Sequence, residues 1–194
     1  MLSNLAAPGK VSATLAAFSG TGVYSVCVRP ADLAGNVGLE ECIFVPVYDP
    51  TGGFVTGGGF IMSPLGAYTP NGTLTGKATF GFVSKYTQGA NVPTGNTQFE
   101  FKTARMDFRS TSYEWLVVAG ARAEFKGTGT INGAGSFSFH LSAIDGDLSG
   151  GGGSDKFRIK ITGPGGLVYD NMLGADDNAD PTTVISGGNI VIHK

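Results

Sequence analysis

Ser136-Phe137-Ser138-Phe139-His140-Leu141-Ser142-Ala143 is the stretch from which the fold is read. Apolar Phe137, Phe139, Leu141 and Ala143 alternate with polar Ser136, Ser138, His140 and Ser142, and period two puts successive side chains on opposite faces of a strand. The segment therefore has one dry face and one wet face. Downstream, Phe157, Ile159 and Ile161 alternate with Lys156, Arg158 and Lys160. Upstream, Ala121, Ala123 and Phe125 alternate with Arg122, Glu124 and Lys126, and Phe99 and Phe101 with Gln98, Glu100 and Lys102. Phe80 with Phe82, Met106 with Phe108, and Ile190 with Ile192 repeat the pattern. Turn signals at Asn71-Gly72, Gly95-Asn96, Asn132-Gly133 and Gly163-Pro164-Gly165-Gly166 separate the runs. Seven or more short strands at this spacing predict an all-β antiparallel meander, arranged as a sandwich or a barrel around a phenylalanine-rich core. Truncating Phe139 to alanine is expected to cost about 3–5 kcal/mol.

Composition narrows the function classes. Glycine supplies 32 of 194 residues, roughly double the usual share of about 7%, which implies many turns, bulges or close backbone approaches. Only 14% of residues are charged and the net charge is −2. Such a chain has no electrostatic pull on nucleic acid or an anionic membrane, and neither is expected as a partner. No apolar run approaches the roughly 18 residues of a spanning helix. Met1-Leu2-Ser3-Asn4 lacks a basic region, and the apolar stretch Val11 to Phe18 is broken by Ser12 and Thr14, so no export signal is read within the chain.

Cys27 and Cys42 flank a turn signal at Ala34-Gly35-Asn36. A reversal there sets the two cysteines opposite each other across a hairpin, at a spacing a disulfide tolerates, and such a bond persists in an oxidising compartment. The alternative is two buried free thiols. Gly22 to Val28 and Glu41 to Val47 form this hairpin, preceded by a strand from Val11 to Phe18. Organisation changes near residue 50. Residues 1–49 are read as one segment, residues 50–59, with Gly57-Gly58-Gly59, as a glycine-rich linker, and residues 60–194 as an antiparallel β-domain.

Tyr24-Ser25-Val26-Cys27-Val28 through Asp32-Leu33-Ala34-Gly35-Asn36 resembles the last strands of a bacterial immunoglobulin-like domain. Residues 57–194 resemble the C-terminal β-domain of large secreted bacterial proteins that carry such repeats, through Phe80-Gly81-Phe82-Val83-Ser84-Lys85-Tyr86, Asp145-Gly146-Asp147 and Asp155-Lys156-Phe157-Arg158-Ile159-Lys160-Ile161. The resemblance implies an extracellular, secreted setting rather than a chemistry. An immunoglobulin-like sandwich needs about seven strands and about 100 residues, so residues 1–49 make only a part of one. Its uncovered apolar face is expected to dock on the second domain or to pair with another copy through residues 1–47, giving a homo-oligomer.

Candidate chemistry is sparse. The sequence has no Gly-x-Ser-x-Gly elbow, P-loop, dinucleotide fingerprint or zinc-spaced cluster. His140, on the wet face of its strand, and His193 are the only histidines, and each is expected to be a solvated surface residue. Asp176, Asn178 and Asp180 match positions 1, 3 and 5 of a calcium loop, although Pro181 and Gly187 stand where an EF-hand needs glycine and glutamate. A second acidic set, Asp145, Asp147 and Asp155, brackets a glycine-rich loop. Either set is calcium ligands or a pair of solvated turns. Tyr68, Tyr86, Tyr113 and Trp115 are candidates for stacking on sugars, with a core role favoured for Trp115 by its apolar run. Three readings follow: an extracellular binding or structural module of a larger protein, first; a calcium-dependent hydrolase of small esters or lactones with His140 as base; and a carbohydrate-binding module taking polysaccharide.

Overall fold

The computed structural model describes Thr14 and residues 16–194; of the expected strand Val11 to Phe18, Val11, Ser12, Ala13 and Leu15 lie outside the described residues, and residues 16–18 are not in a strand. Two strands, β1 (Gly22–Val28) and β2 (Glu41–Val47), form an antiparallel hairpin in which Cys27 stands directly opposite Cys42. The cysteines form a disulfide with their Cα atoms 4.0 Å apart. At the hairpin's tip Asp32 Oδ1 accepts the backbone N–H of Ala34 and of Asn36, and Oδ2 accepts from the Asn36 side chain. These bonds, the Asn36 side chain first, hold the Asp32 carboxyl below its ordinary value.

The remaining strands are β3 (Phe54–Ser63), β4 (Gly76–Lys85), β5 (Thr94–Phe101), β6 (Met106–Ala119), β7 (Arg122–Ile131), β8 (Ala134–Ile144), β9 (Lys156–Gly163), β10 (Gly166–Asp170) and β11 (Gly187–His193). They make one antiparallel sheet in the order β10-β9-β8-β7-β6-β5-β4-β3-β11. Strands β3 to β10 are a meander, and β11 returns across the molecule to pair with β3. The sheet curls over itself so that its inner face forms the core. Phe80 of β4 stacks on Phe157 of β9 at 4.1 Å, and Phe99 of β5 lies 4.6 Å from Tyr169 of β10. Phe99, Phe101, Phe108, Phe125, Phe139, Phe157, Ile159 and Ile161 are all buried, each ring or branched chain contributing about 1.5–3 kcal/mol before ordering entropy is subtracted.

The alternating residues face inward as read, with four local corrections. Residues 54–59 are part of β3 and not a linker: Gly57 pairs with Phe82, whose ring lies where a Gly57 Cβ would stand, 2.4 Å away. A glycine opposite a phenylalanine leaves room for the ring to lie flat on the neighbouring strand, and Gly127 opposite Phe139 repeats the device. Gly95-Asn96 is not a turn but lies inside β5, paired with Ser84 and Val83. Ala121 sits in the two-residue turn before β7. Trp115 is not core. Bulges around Thr111 and Glu114 shift the parity of β6, so that Tyr113 points inward and is buried while Trp115 sits half-buried on the outer face.

The hairpin touches the sheet on its outer side. Thr21 Oγ1 donates to Val118 O, Asn178 Nδ2 donates to Val23 O at 2.7 Å, and Tyr48 stacks on Tyr86 with ring centroids 5.2 Å apart. Val23 is the one buried apolar residue of β1 and β2, whereas Leu33, Leu39 and Ile43 remain exposed. Among the described residues no helix is long and apolar enough to cross a membrane.

Candidate functional site

The sheet is not a closed barrel. Its seam is bridged by side chains, and here the sequence's acidic residues come together. Asp145 follows the last residue of β8 and Asp155 precedes β9, so both stand at the end of the sheet where β11 presents its free edge. Asp155 Oδ2 accepts the N–H of Ile190 at 2.7 Å, and Asp145 Oδ2 accepts the N–H of Ile192 at 2.9 Å. Their second oxygens serve their own loop: Asp155 Oδ1 accepts from Gly146 N–H and Asp145 Oδ1 from Asp147 N–H. Each carboxylate thus occupies the place of a neighbouring strand's carbonyls, in charge-assisted bonds stronger than neutral ones.

On the other side of the seam Asn171 does the same for β9. Its Oδ1 accepts Ile159 N–H and its Nδ2 donates to Phe157 O, while Phe157 N–H donates to Thr183 O. The edge of β10 is covered by the loop after β3, through Asp170 N–H to Ala67 O and the bridge between Tyr68 and Tyr169. Unpaired edges template aggregation, and the nine-stranded sheet covers its own without a closing ladder. A cleft of about 310 Å³ opens beside the seam, lined by Asp147, Ser154, Asp155, Asn189 and residues 184–188. Asp147 is exposed and faces it.

A second polar layer lies on the outer face of β7, β8 and β9. Glu124, Ser142 and Arg158 stand in one register row and are each buried. The long connection from β10 to β11 covers them. Arg158 makes a two-pronged ion pair with buried Asp170, Nε to Oδ1 at 3.1 Å and Nη2 to Oδ2 at 2.9 Å, and donates to the carbonyls of Ala175 and Asp176. Arg122 binds Glu124 at 2.6 Å, Asp180 at 2.9 Å and the Asn178 carbonyl at 3.0 Å. Lys160 pairs with Asp177.

Compared with protein-family models, with curated proteins and with solved structures, the chain matches none. Function therefore has to be argued from this geometry.

The calcium candidates are arranged as follows. Asp145 and Asp155 share the seam, and Asp147 stands beside them in the cleft. Asp176, Asn178 and Asp180 diverge: Asp176 Oδ1 caps the Asn178 N–H, Asn178 reaches Val23, and Asp180 reaches Arg122. Among the described residues, the three His, Cys, Asp or Glu side chains that converge are Cys27, Glu40 and Cys42. Both of those sulfurs are joined in the disulfide, so no thiolate is offered.

His140 is not solvated. Its side chain is 16% exposed, its Nε2 lies 3.4 Å from Glu124 Oε1, and its ring meets the Trp115 ring at 5.5 Å. Lys126 and Lys160 flank it in register. Asp145 lies five residues further on, about 16 Å along an extended strand, so the seam carboxylates and His140 do not share a site. His193 also lies against the sheet, stacked on Phe54 at 4.1 Å, with Nε2 3.3 Å from Thr56 Oγ1.

Of the four aromatic candidates, Trp115 is half-buried on the outer face against His140, and the three tyrosines are engaged within the structure. Tyr113 is in the core, where burial raises its hydroxyl's pKa. Tyr86 is bonded to Leu116 and stacked on Tyr48, and Tyr68 meets Phe101 edge-on at 6.3 Å. Alternation alone assigned Arg122, Glu124, Arg158 and Lys160 to a wet face. Their burial depends on a loop whose path is not written in period-two pattern. The available signal was the length of the connection after β10 together with its run of Asp and Asn.

Proposed function

We propose that the chain serves as a non-catalytic binding or structural module of a larger extracellular protein. The observation that supports this reading is the employment of its acidic side chains: Asp145, Asp155 and Asp170 accept hydrogen bonds that hold strands and loops together. A general base or metal cradle needs carboxylates that converge on open space, and these converge on backbone amides and on a guanidinium. The exposed disulfide is compatible with an oxidising, secreted setting. The apolar side chains left bare on the hairpin suit a chain that continues into, or packs on, neighbouring β-domains.

Thermal unfolding in calcium and in EDTA, run beside a screen of chromogenic esters and lactones, tests the reading. The expected result is an unchanged midpoint and no turnover. Turnover that vanishes with EDTA, accompanied by a calcium-dependent rise in midpoint, would instead favour the hydrolase.

A further inference from the structure

Two clefts on the outer face of β4, β5 and β6 share a wall and run together as one trough. One, of about 260 Å³, is lined by Lys77, Thr79, Glu100, Lys102 and Thr103; the other, of about 250 Å³, by Glu100, Lys102, Arg105, Met106 and Asp107. Thr79, Glu100 and Asp107 form one register row across the three strands, so the floor is rigid sheet. The cations are placed individually. Lys77 Nζ stands over the Phe60 ring at 4.1 Å. Lys102 opens the short 3-10 turn Lys102–Ala104, and Arg105 ends it in the left-handed region at φ 51°.

A non-glycine residue at positive φ needs its neighbours to hold it there. Asn132 does so, donating from Nδ2 to Arg105 O while its Oδ1 accepts Asp107 N–H. The charges do not cancel. Arg109 pairs with Asp107 at 3.0 Å and Lys102 sits 3.9 Å from Glu100, whereas Lys77 and Arg105 form no ion pair among the described residues. A chain of net charge −2 therefore carries one locally positive trough.

We propose that this trough binds an anionic glycan, a sugar chain bearing carboxylate or sulfate groups. The inference rests on the module reading and gives it a ligand class. Three spaced cations take the ligand's anionic groups, Arg105 by its planar fork and the lysines as point charges. Glu100, shared by both clefts, decides between anions. A carboxylate amid the cations repels a bare polyphosphate but accepts hydrogen bonds from sugar hydroxyls, and the Thr79 and Thr103 hydroxyls add donors and acceptors beside it.

The test is native electrophoresis of the whole chain through gels holding polygalacturonate, dextran sulfate or neutral dextran. Retardation by a charged polymer, released by added salt and absent with dextran, is expected. The triple variant Lys77→Gln, Lys102→Gln, Arg105→Gln should lose it while keeping the wild-type unfolding midpoint, since all three side chains are exposed. A charge-matched triple elsewhere, Arg29→Gln, Lys85→Gln, Lys194→Gln, should keep it. Retardation by polygalacturonate alone assigns a carboxylated glycan and by dextran sulfate alone a sulfated one. No retardation, equal retardation by dextran, or equal loss in both triples would overturn the site. Ester turnover measured on the same sample bears on the module reading alone, so the two can fail separately.

Discussion

The nine-stranded sheet and the two-stranded hairpin meet the same physical problem with opposite means. A strand has backbone groups to pair and an apolar face to cover. In the sheet the core covers the face, and Asp145, Asp155 and Asn171 pair the groups that no strand reaches. Among the described residues the hairpin has no further strand beside it and only a few contacts with the sheet, at Thr21, Val23 and Tyr48. Leu33, Leu39 and Ile43 stay exposed, and two-stranded ribbons are marginal on their own. Its order comes from local devices instead, the Cys27–Cys42 bond and the Asp32 turn. The contrast teaches that the sheet is stabilised by distant contacts acting cooperatively, and the hairpin chiefly by its own ladder, disulfide and turn, with few long-range bonds.

The largest effect should come from breaking the sheet's buried polar layer. Asp170→Ala takes from Arg158, 2% exposed, its two-pronged carboxylate and leaves only Asp177 at 3.9 Å, and breaking a buried pair of this kind costs about 3–5 kcal/mol. Denaturant unfolding measures it. Arg158→Met together with Asp170→Leu should recover most of that loss, and failure of the pair to recover would mean the layer acts through its loop bonds rather than its charge.

Removing the disulfide by Cys27→Ser with Cys42→Ser comes next and sharpens the comparison directly. Closing a loop of 15 residues is worth about 3 kcal/mol on the chain-entropy model. Because β1 and β2 form their own two-stranded sheet, that loss should appear as fast amide exchange at Val26 and Ile43 with the larger sheet's midpoint unmoved. A drop in the sheet's midpoint would show that the two regions unfold together.

Seam variants follow in size. Asp155→Ala removes the acceptor of Ile190 N–H and Gly146 N–H, and a bond of this charge-assisted kind contributes about 1.5–3 kcal/mol. Exchange should accelerate at Ile190 more than at Phe99 in the centre of the sheet. Uniform acceleration would mean the seam is not a separate opening.

The two regions also differ in how far the sequence disclosed them. Every core phenylalanine from Phe80 to Phe157 was legible, because alternation reports burial on a pleated surface whatever the partner strand; Tyr113 was not, because the bulges of β6 shift its parity. The hairpin's register was legible from Cys27, Cys42 and a glycine turn. What was hidden depends on chain placed far away in sequence. Asp145 and Asp155 read as either calcium ligands or solvated turns, and their role at the seam stayed hidden because their partners, the amides of Ile190 and Ile192, are backbone groups that carry no residue-type signal. Arg158 read as solvated because the loop that covers it has no period, and His140 because Trp115, carried to the outer face by the bulges of β6, packs against it. Gly57-Gly58-Gly59 read as a linker because glycine composition cannot tell a flexible link from a strand that makes room for Phe82. The basic trough escaped notice for the same reason, since Lys77 and Arg105 reach adjoining clefts, joined by Glu100 and Lys102, only in the paired sheet.

The smallest expected effect lies at the junction of the two regions, at Tyr86. Its hydroxyl donates to Leu116 O at 3.1 Å and accepts Leu116 N–H at 3.0 Å, while its ring stacks on Tyr48 just after β2. Burial, the main cause, pushes its pKa from the ordinary 10.0 up to about 12. A folded-state pKa above the unfolded one means the folded protein keeps the proton over a range where the unfolded chain has lost it. The contribution is complete below pH 10 and is lost as pH rises toward 12, with Tyr113 and Tyr169 shifted in the same direction. Unfolding midpoints should therefore fall between pH 10 and pH 12. Tyr86→Phe should lower the midpoint at neutral pH, by leaving Leu116 N–H without its acceptor, and flatten the alkaline fall. A fall of unchanged steepness in the variant would assign the alkaline response to Tyr113 and Tyr169 inside the sheet, and the junction would then be insensitive to the charge of its own tyrosine.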